Sequence, residues 1–459
     1  MAASRKGKTA LVLAGGGVSG VAYEVGALRA LDHIFTNHTV NDFDLYVGTS
    51  AGAIVAASIA SGMPPIMLAG LMAGTVPGFG RLSRLSLYRP NIGEVLQRLL
   101  GAPRLVRDAA IDYWRFREQV PLSEALYSLA PLLPSGIFTS DGLIKYITDT
   151  FESAGLSDDF LDIPKELHLI ATDVETLRRV DFSKGTSPNV PISQAVAAST
   201  CIPIIFRPVE IDGHHYVDGG VKGQPAIDVA INRGARLIVI VNGLVPLDTE
   251  AIAARASVDQ ARSSIFDLGM RAIGNQVIRG MLHDSLIDHL KALRDKHPEV
   301  DFILIEPRPD DEKMFFHEVL SFSAQMIVLQ HGYETVINGL SRSRPHLSRI
   351  LQSHGIEITR KVADIKPLEV PVAEMETQGR SLGRLFKTIL DRRSGGDEAP
   401  DARARIASRA GASRVQSGRR PAVKKRTAKQ PAPRTMRASA GRGNNASRGT
   451  FRPRVISSD

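Results

Sequence analysis

Cysteine is almost absent. Cys201 is the single one among 459 residues, which excludes an intramolecular disulfide and suits a reducing compartment. Long apolar runs are missing too: nothing approaches the roughly 18 residues that a membrane-crossing helix needs. The basic start, Met1 to Thr9, runs straight into an apolar stretch without the hydrophobic region of a signal peptide. The expectation is a cytoplasmic protein with at most peripheral membrane contact. Neither HExxH, paired CxxC nor a P-loop occurs, so no cofactor and no metal are expected. His283, Asp284, Asp288 and His289 have a metal-like composition, but residues six apart on a helix point to different faces. No internal repeat is visible.

A net basic charge is absent from most of the chain, although the total is +9. Residues 395–459 hold sixteen Lys and Arg against four Asp and Glu, so the preceding residues are slightly acidic. This segment is rich in Ala, Ser, Gly, Pro and Arg and is expected to be a disordered basic tail. It could attach to anionic lipid or another polyanion, or be solvated without a specific partner. The 43% apolar content of the whole chain suffices for a large core.

Three short runs carry chemistry. Phe43 to Val47 reads as a buried strand and Ala51 to Ser61 as a helix of small residues, with Gly48-Thr49-Ser50-Ala51-Gly52 between them. A serine at such a strand–turn–helix elbow has its hydroxyl lifted above the sheet, and the flanking glycines admit neighbouring backbone. The helix starting at Ala51 turns the positive end of its dipole to developing negative charge. Gly15-Gly16-Gly17-Val18-Ser19-Gly20 follows the apolar stretch Thr9 to Ala14 and precedes a helix with a 3.6-residue apolar period. Consecutive glycines present bare amides, suited to an oxyanion hole. The third run, Asp218-Gly219-Gly220, ends a hairpin that turns at Asp212-Gly213. A partly buried aspartate there could take a serine proton without an imidazole relay. His214 and His215 are close in sequence but are read as hairpin residues.

Gly15, Gly17 and Gly20 also fit the dinucleotide fingerprint, which wants an acid at the end of the second strand. Asp42 and Asp44 lie before that strand instead. A third alternative is a lipid- or partner-binding scaffold that has lost turnover.

The chain resembles the patatin-like phospholipases. The resemblance rests on the glycine loop, on Gly-Thr-Ser-Ala-Gly, and on Ala198 to Phe206 leading into Asp218-Gly219-Gly220. It implies Ser50 as nucleophile, Asp218 as proton acceptor, and Gly15, Gly16, Gly17 and Ala51 as oxyanion hole, with no metal in the chemistry. Gly20, Gly48, Gly52, Gly219 and Gly220 complete the motifs. The implied activity is hydrolysis of lipid acyl esters, with a role in lipid degradation. Many members carry Arg or Lys where this chain has Ser19, a departure that bears on substrate and membrane contacts rather than on backbone donors.

The expected fold is α/β, a mostly parallel sheet with helices on both faces. The catalytic core is placed at residues 8–245, a mainly helical extension at 246–394 and the tail at 395–459. An insertion at about 75–135 opens loop-like and holds a helix with Ile92, Val95, Leu96, Leu99 and Leu100 on one face. Tyr113, Trp114 and Phe116 then interleave with Arg107, Arg115 and Arg117. That pattern suits a membrane interface or an apolar cap over the serine, or else helices packed on the core.

Overall fold

Strands buried on both faces need apolar side chains in both alternating sets, and β1 (Lys8–Leu13) and β10 (Ala235–Val241) are almost continuously apolar for that reason. The computed structural model describes residues 7–80, 87–116, 129–223, 225–255, 264–311, 314–315, 324–359 and 455–456. All of them belong to one compact unit, residues 1–376 with 453–459; the second unit, 377–452, lies outside the described residues.

The main sheet is mixed. β10 pairs parallel with β1 and with β11 (Asp301–Ile305), β1 with β2 (Leu45–Thr49), and β2 with β5 (Glu166–Asp173). Beyond β5 the sheet turns antiparallel, with β6 (Arg179–Ser183), β9 (His214–Asp218) and β8 (Val209–Ile211). The turn joining β8 to β9 has positive φ at both Asp212 and Gly213, as a tight hairpin requires. The mostly parallel expectation thus holds for one half of the sheet only.

Alternate strand residues feed two layers. Ala10, Val12, Leu45, Val47, Ile238 and Ile240 join one core with α7 (Ile227–Asn232) and the buried side of α9 (Met270–Lys296). Leu11, Leu13, Tyr46 and Val239 join the other, against α1 (Gly17–Ile34), α2 (Ala51–Ala60) and α10 (Gln325–Ser353). A Cβ on Gly26 would stand 2.0 Å from the Leu329 carbonyl oxygen, so α1 and α10 meet backbone to backbone. The extension after residue 245 therefore supplies a strand and two covering helices, one on each face, to the same sheet.

A second sheet joins β3 (Arg89–Pro90), β4 (Gly136–Thr139) and β7 (Ile204–Phe206). From β3 the chain enters α4, Ile92–Phe116, a single 25-residue helix that runs on through Pro103. It is longer than the sequence pattern suggests, and its apolar face does not cap the serine. Ile92, Leu96, Leu99 and Leu100 are exposed, Leu100 by 77%. Glu94, on the polar side, accepts hydrogen bonds from Ser135 instead. Arg117 and the rest of the insertion to residue 128 lie outside the described residues, as does the expected tail except Val455–Ile456, which pairs with Leu304 and Ile305 of β11.

Candidate active site

Ser50 separates β2 from α2 with φ 55 and ψ −134, a conformation L residues rarely adopt. The turn is tight enough that a Cβ on Gly52 would meet the Leu13 carbonyl oxygen at 2.4 Å. Ala51 opens α2, so its amide has no acceptor within the helix. The Ser50 amide donates to Ser199 Oγ at 2.9 Å, and Ser199 donates in turn to the Ile170 carbonyl at 2.5 Å. Ser199 closes α6 (Ile192–Ser199) and is fully buried, so it ties the elbow to β5. Sequence reasoning gave Ser199 no role.

Pairing of Ala171 with Asp218 brings the end of β9 beside β5, one strand from the elbow. Ser50 Oγ donates to Asp218 Oδ2 at 2.5 Å, and the Gly220 amide donates to Oδ1 at 2.7 Å. Asp218 is only 6% exposed. Burial raises its carboxyl to about 6, against the opposing pull of the Ser50 and Gly220 hydrogen bonds. A carboxylate poised there accepts a proton near neutral pH far better than an exposed one. The hairpin histidines lie elsewhere. His214 is 3.3 Å from Asp173, and His215 is 4.0 Å from Glu175.

The glycine loop packs against the turn at Ser50. Gly15, Gly16 and Gly17 all have positive φ, at 86, 128 and 64. The Gly15 amide, one of four expected oxyanion donors, donates to Glu24 Oε1 at 2.8 Å and is already committed. Gly16 caps α1 and Gly17 begins it, where helix amides have no internal partner. Ala51 likewise stands at a helix start, so three of the four expected donors are first-turn or cap amides. Gly20 is needed for packing, since a Cβ there would stand 2.7 Å from the Gly15 carbonyl oxygen. Ser19 is buried, its hydroxyl 3.4 Å from the Gly16 carbonyl, so it faces the loop rather than solvent.

An apolar cleft opens on Ser50 and Ala51. Val18, Ile54, Met72, Leu143 and Phe206 line it, with Tyr88 stacked on Phe206 at 5.8 Å between centroids. Gln325 and Ser140 are polar points in its wall. The metal-like residues of α9 separate as helical spacing dictates. His283 contacts Glu306 at 3.1 Å, His289 lies 3.7 Å from Asp228, and Lys291 bonds Asp288. Among the described residues no group of three His, Cys, Asp or Glu is arranged to hold a metal ion.

The chain is 25% identical over 227 residues to the probable lipid hydrolase 463L of invertebrate iridescent virus 6, covering 48% of this chain and 62% of that protein. It is 29% identical over 223 residues to the uncharacterized protein YqhO of Bacillus subtilis, covering 46% and 62%. This chain thus spans about three fifths of these relatives. Among solved structures, VipD from Legionella pneumophila aligns at 14% identity and TM-score 0.25, covering 84% of this chain and 86% of that one. ExoU, a type III effector of Pseudomonas aeruginosa, aligns at 17% and 0.26, covering 87% and 78%. Overlays at that level do not define a common fold. Residues 11–231 match the patatin-like phospholipase family model, and over that span the chain belongs to the patatin-like phospholipase family.

Proposed function

We propose that this protein hydrolyses carboxylic esters of lipids through a Ser50–Asp218 dyad. The observation that carries the reading is the 2.5 Å hydrogen bond from Ser50 Oγ to Asp218 Oδ2 at the floor of an apolar cleft. Asp218 takes the hydroxyl proton as Ser50 attacks the acyl carbonyl, and an oxyanion forms. Gly16, Gly17 and Ala51 donate to it, replacing water with fixed dipoles. The proton passes from Asp218 to the leaving alkoxide, an acyl-Ser50 ester remains, and water cleaves it by the reverse sequence. Esters suit such a dyad because their leaving groups need less acid assistance than amines.

The cleft accepts acyl chains by burying them against aliphatic and aromatic walls, at about 0.8 kcal/mol per buried methylene. Contact with a lipid surface falls to α4, whose apolar side is turned outward, aided by the basic charge of residues 395–459. No described helix is long and apolar enough to cross a membrane. Lipid products released from phospholipid and neutral-lipid vesicles, quantified by mass spectrometry for wild type and Ser50→Ala, test this reading. Wild type should release fatty acid and the variant should not. Equal release by both would sink the assignment.

A further inference from the structure

Glu24 lies on α1, beyond the glycine loop, and is 0% exposed. Its helix neighbours Ala22, Tyr23, Val25 and Ala27 are equally buried. An acid in such surroundings costs stability unless its oxygens are satisfied. Only one is: Oε1 accepts the Gly15 amide at 2.8 Å, while the buried Oε2 has no hydrogen-bond partner among the described residues. Burial raises the carboxyl to about 8, with the Gly15 amide opposing. The acid is therefore largely uncharged at neutral pH, and its carbonyl oxygen can serve as the acceptor.

The Gly15 peptide is where the glycine loop touches the nucleophile turn. A Cβ on Gly15 would lie 2.5 Å from the Thr49 carbonyl oxygen and 2.9 Å from Ser50 Cβ. Three consecutive glycines have wide conformational freedom, and amides useful to an oxyanion must keep one direction through the reaction. The fold therefore needs an anchor on the first of them, and Glu24 holds its amide. We propose that Glu24 is a positioning residue, which through the Gly15 amide fixes the glycine loop so that the Gly16 and Gly17 amides face the oxyanion formed at Ser50. The inference rests on the Ser50 hydrolase reading.

The test measures kcat and KM on a soluble short-chain ester, with thermal unfolding, for full-length Glu24→Gln and Glu24→Met beside wild type and Ser50→Ala. Glu24→Gln keeps the acceptor and should hold kcat within about threefold, whereas Glu24→Met should lower kcat about tenfold or more at nearly unchanged KM. Glu24→Met removes an unsatisfied buried acid but leaves the buried Gly15 amide without its acceptor, so its unfolding temperature should stay within a few degrees of wild type. A merely structural residue would show the reverse, with lost stability and an unchanged kcat. Wild-type kcat in Glu24→Met, or Glu24→Gln as slow as Glu24→Met, overturns the proposal. If Glu24→Met does not fold, Glu24→Asp replaces it: its carboxyl stops one carbon short of the amide. The same loss is expected, and wild-type kcat there overturns the proposal equally. Wild type without Ser50-dependent activity sinks the hydrolase reading and this role together. An active wild type with indifferent Glu24 variants sinks this role alone.

Discussion

The cleft at Ser50 and the helix α4 present apolar surface in opposite senses. At the cleft, Val18, Leu143 and Phe206 face inward, and polar groups beneath them bond within the fold: Ser50 to Asp218, Gly220 to Asp218, Gly15 to Glu24. On α4 the order is inverted. Glu94 and Arg98 bond to residues 131–135, while Leu96, Leu99 and Leu100 meet solvent. Leu87 and Tyr88, which line the cleft, lead through β3 directly into α4. The contrast teaches that apolar content divides into a part the fold consumes and a part it leaves for a surface outside itself. Under the proposed function, chemistry would belong to the first part and substrate delivery to the second.

The comparison breaks most visibly at Asp218. Asp218→Asn keeps the shape and removes the proton acceptor, so ester hydrolysis should fall by about 10² or more on soluble and vesicular substrates alike. The same change should raise stability at pH 8. The folded carboxyl is held up at about 6, above its ordinary value of 3.8. The folded state thus binds the proton more tightly, and stability falls as pH rises from about 4 to about 6, then levels off. Asparagine carries no such penalty, and the gain should be on the order of 1–3 kcal/mol in denaturant titrations at pH 8. A destabilised Asp218→Asn would show that the carboxylate is a structural strut.

Next comes pH. With Asp218 as base, log kcat/KM on a neutral soluble ester should lose about one unit per pH unit once pH drops below about 6. A flat profile between pH 5 and 7 would remove Asp218 from the proton path.

The α4 surface sharpens the division between chemistry and delivery. Replacing Leu96, Leu99 and Leu100 together by Gln should weaken vesicle binding and vesicle hydrolysis about tenfold, leaving kcat on the soluble ester unchanged. Equal losses on both substrates would mean that α4 supports the cleft itself. Smallest of all, His214→Ala and His215→Ala should each stay within about twofold of wild type, since neither ring approaches Ser50. A loss matching that of Asp218→Asn would replace the dyad with a triad.

Much of this site is legible in the sequence because glycine spacing is a backbone constraint. Gly48, Ser50 and Gly52 announce a turn that only glycine neighbours permit, and the apolar periods on either side announce strand and helix. What is not legible depends on which way a side chain turns. Glu24 reads as an ordinary helix acid, and only the hydrogen bond from the loop back to α1 reveals that it holds Gly15. Ser199 is one more small residue in a small-residue run until its hydroxyl is seen on the Ser50 amide. The periodicity of α4 shows an apolar face but carries no sign of direction, and Pro103 disguises the helix length. The antiparallel half of the sheet is similarly hidden, because the β8–β9 hairpin declares its own turn but not the strand it joins.

The most direct test of the central claim is intact-protein mass spectrometry after exposure to a fluorophosphonate, followed by peptide mapping. A single adduct on Ser50 is expected in wild type, none in Ser50→Ala, and much slower labelling in Asp218→Asn. Wild type that stays unlabelled, or an adduct that persists in Ser50→Ala, would contradict that claim.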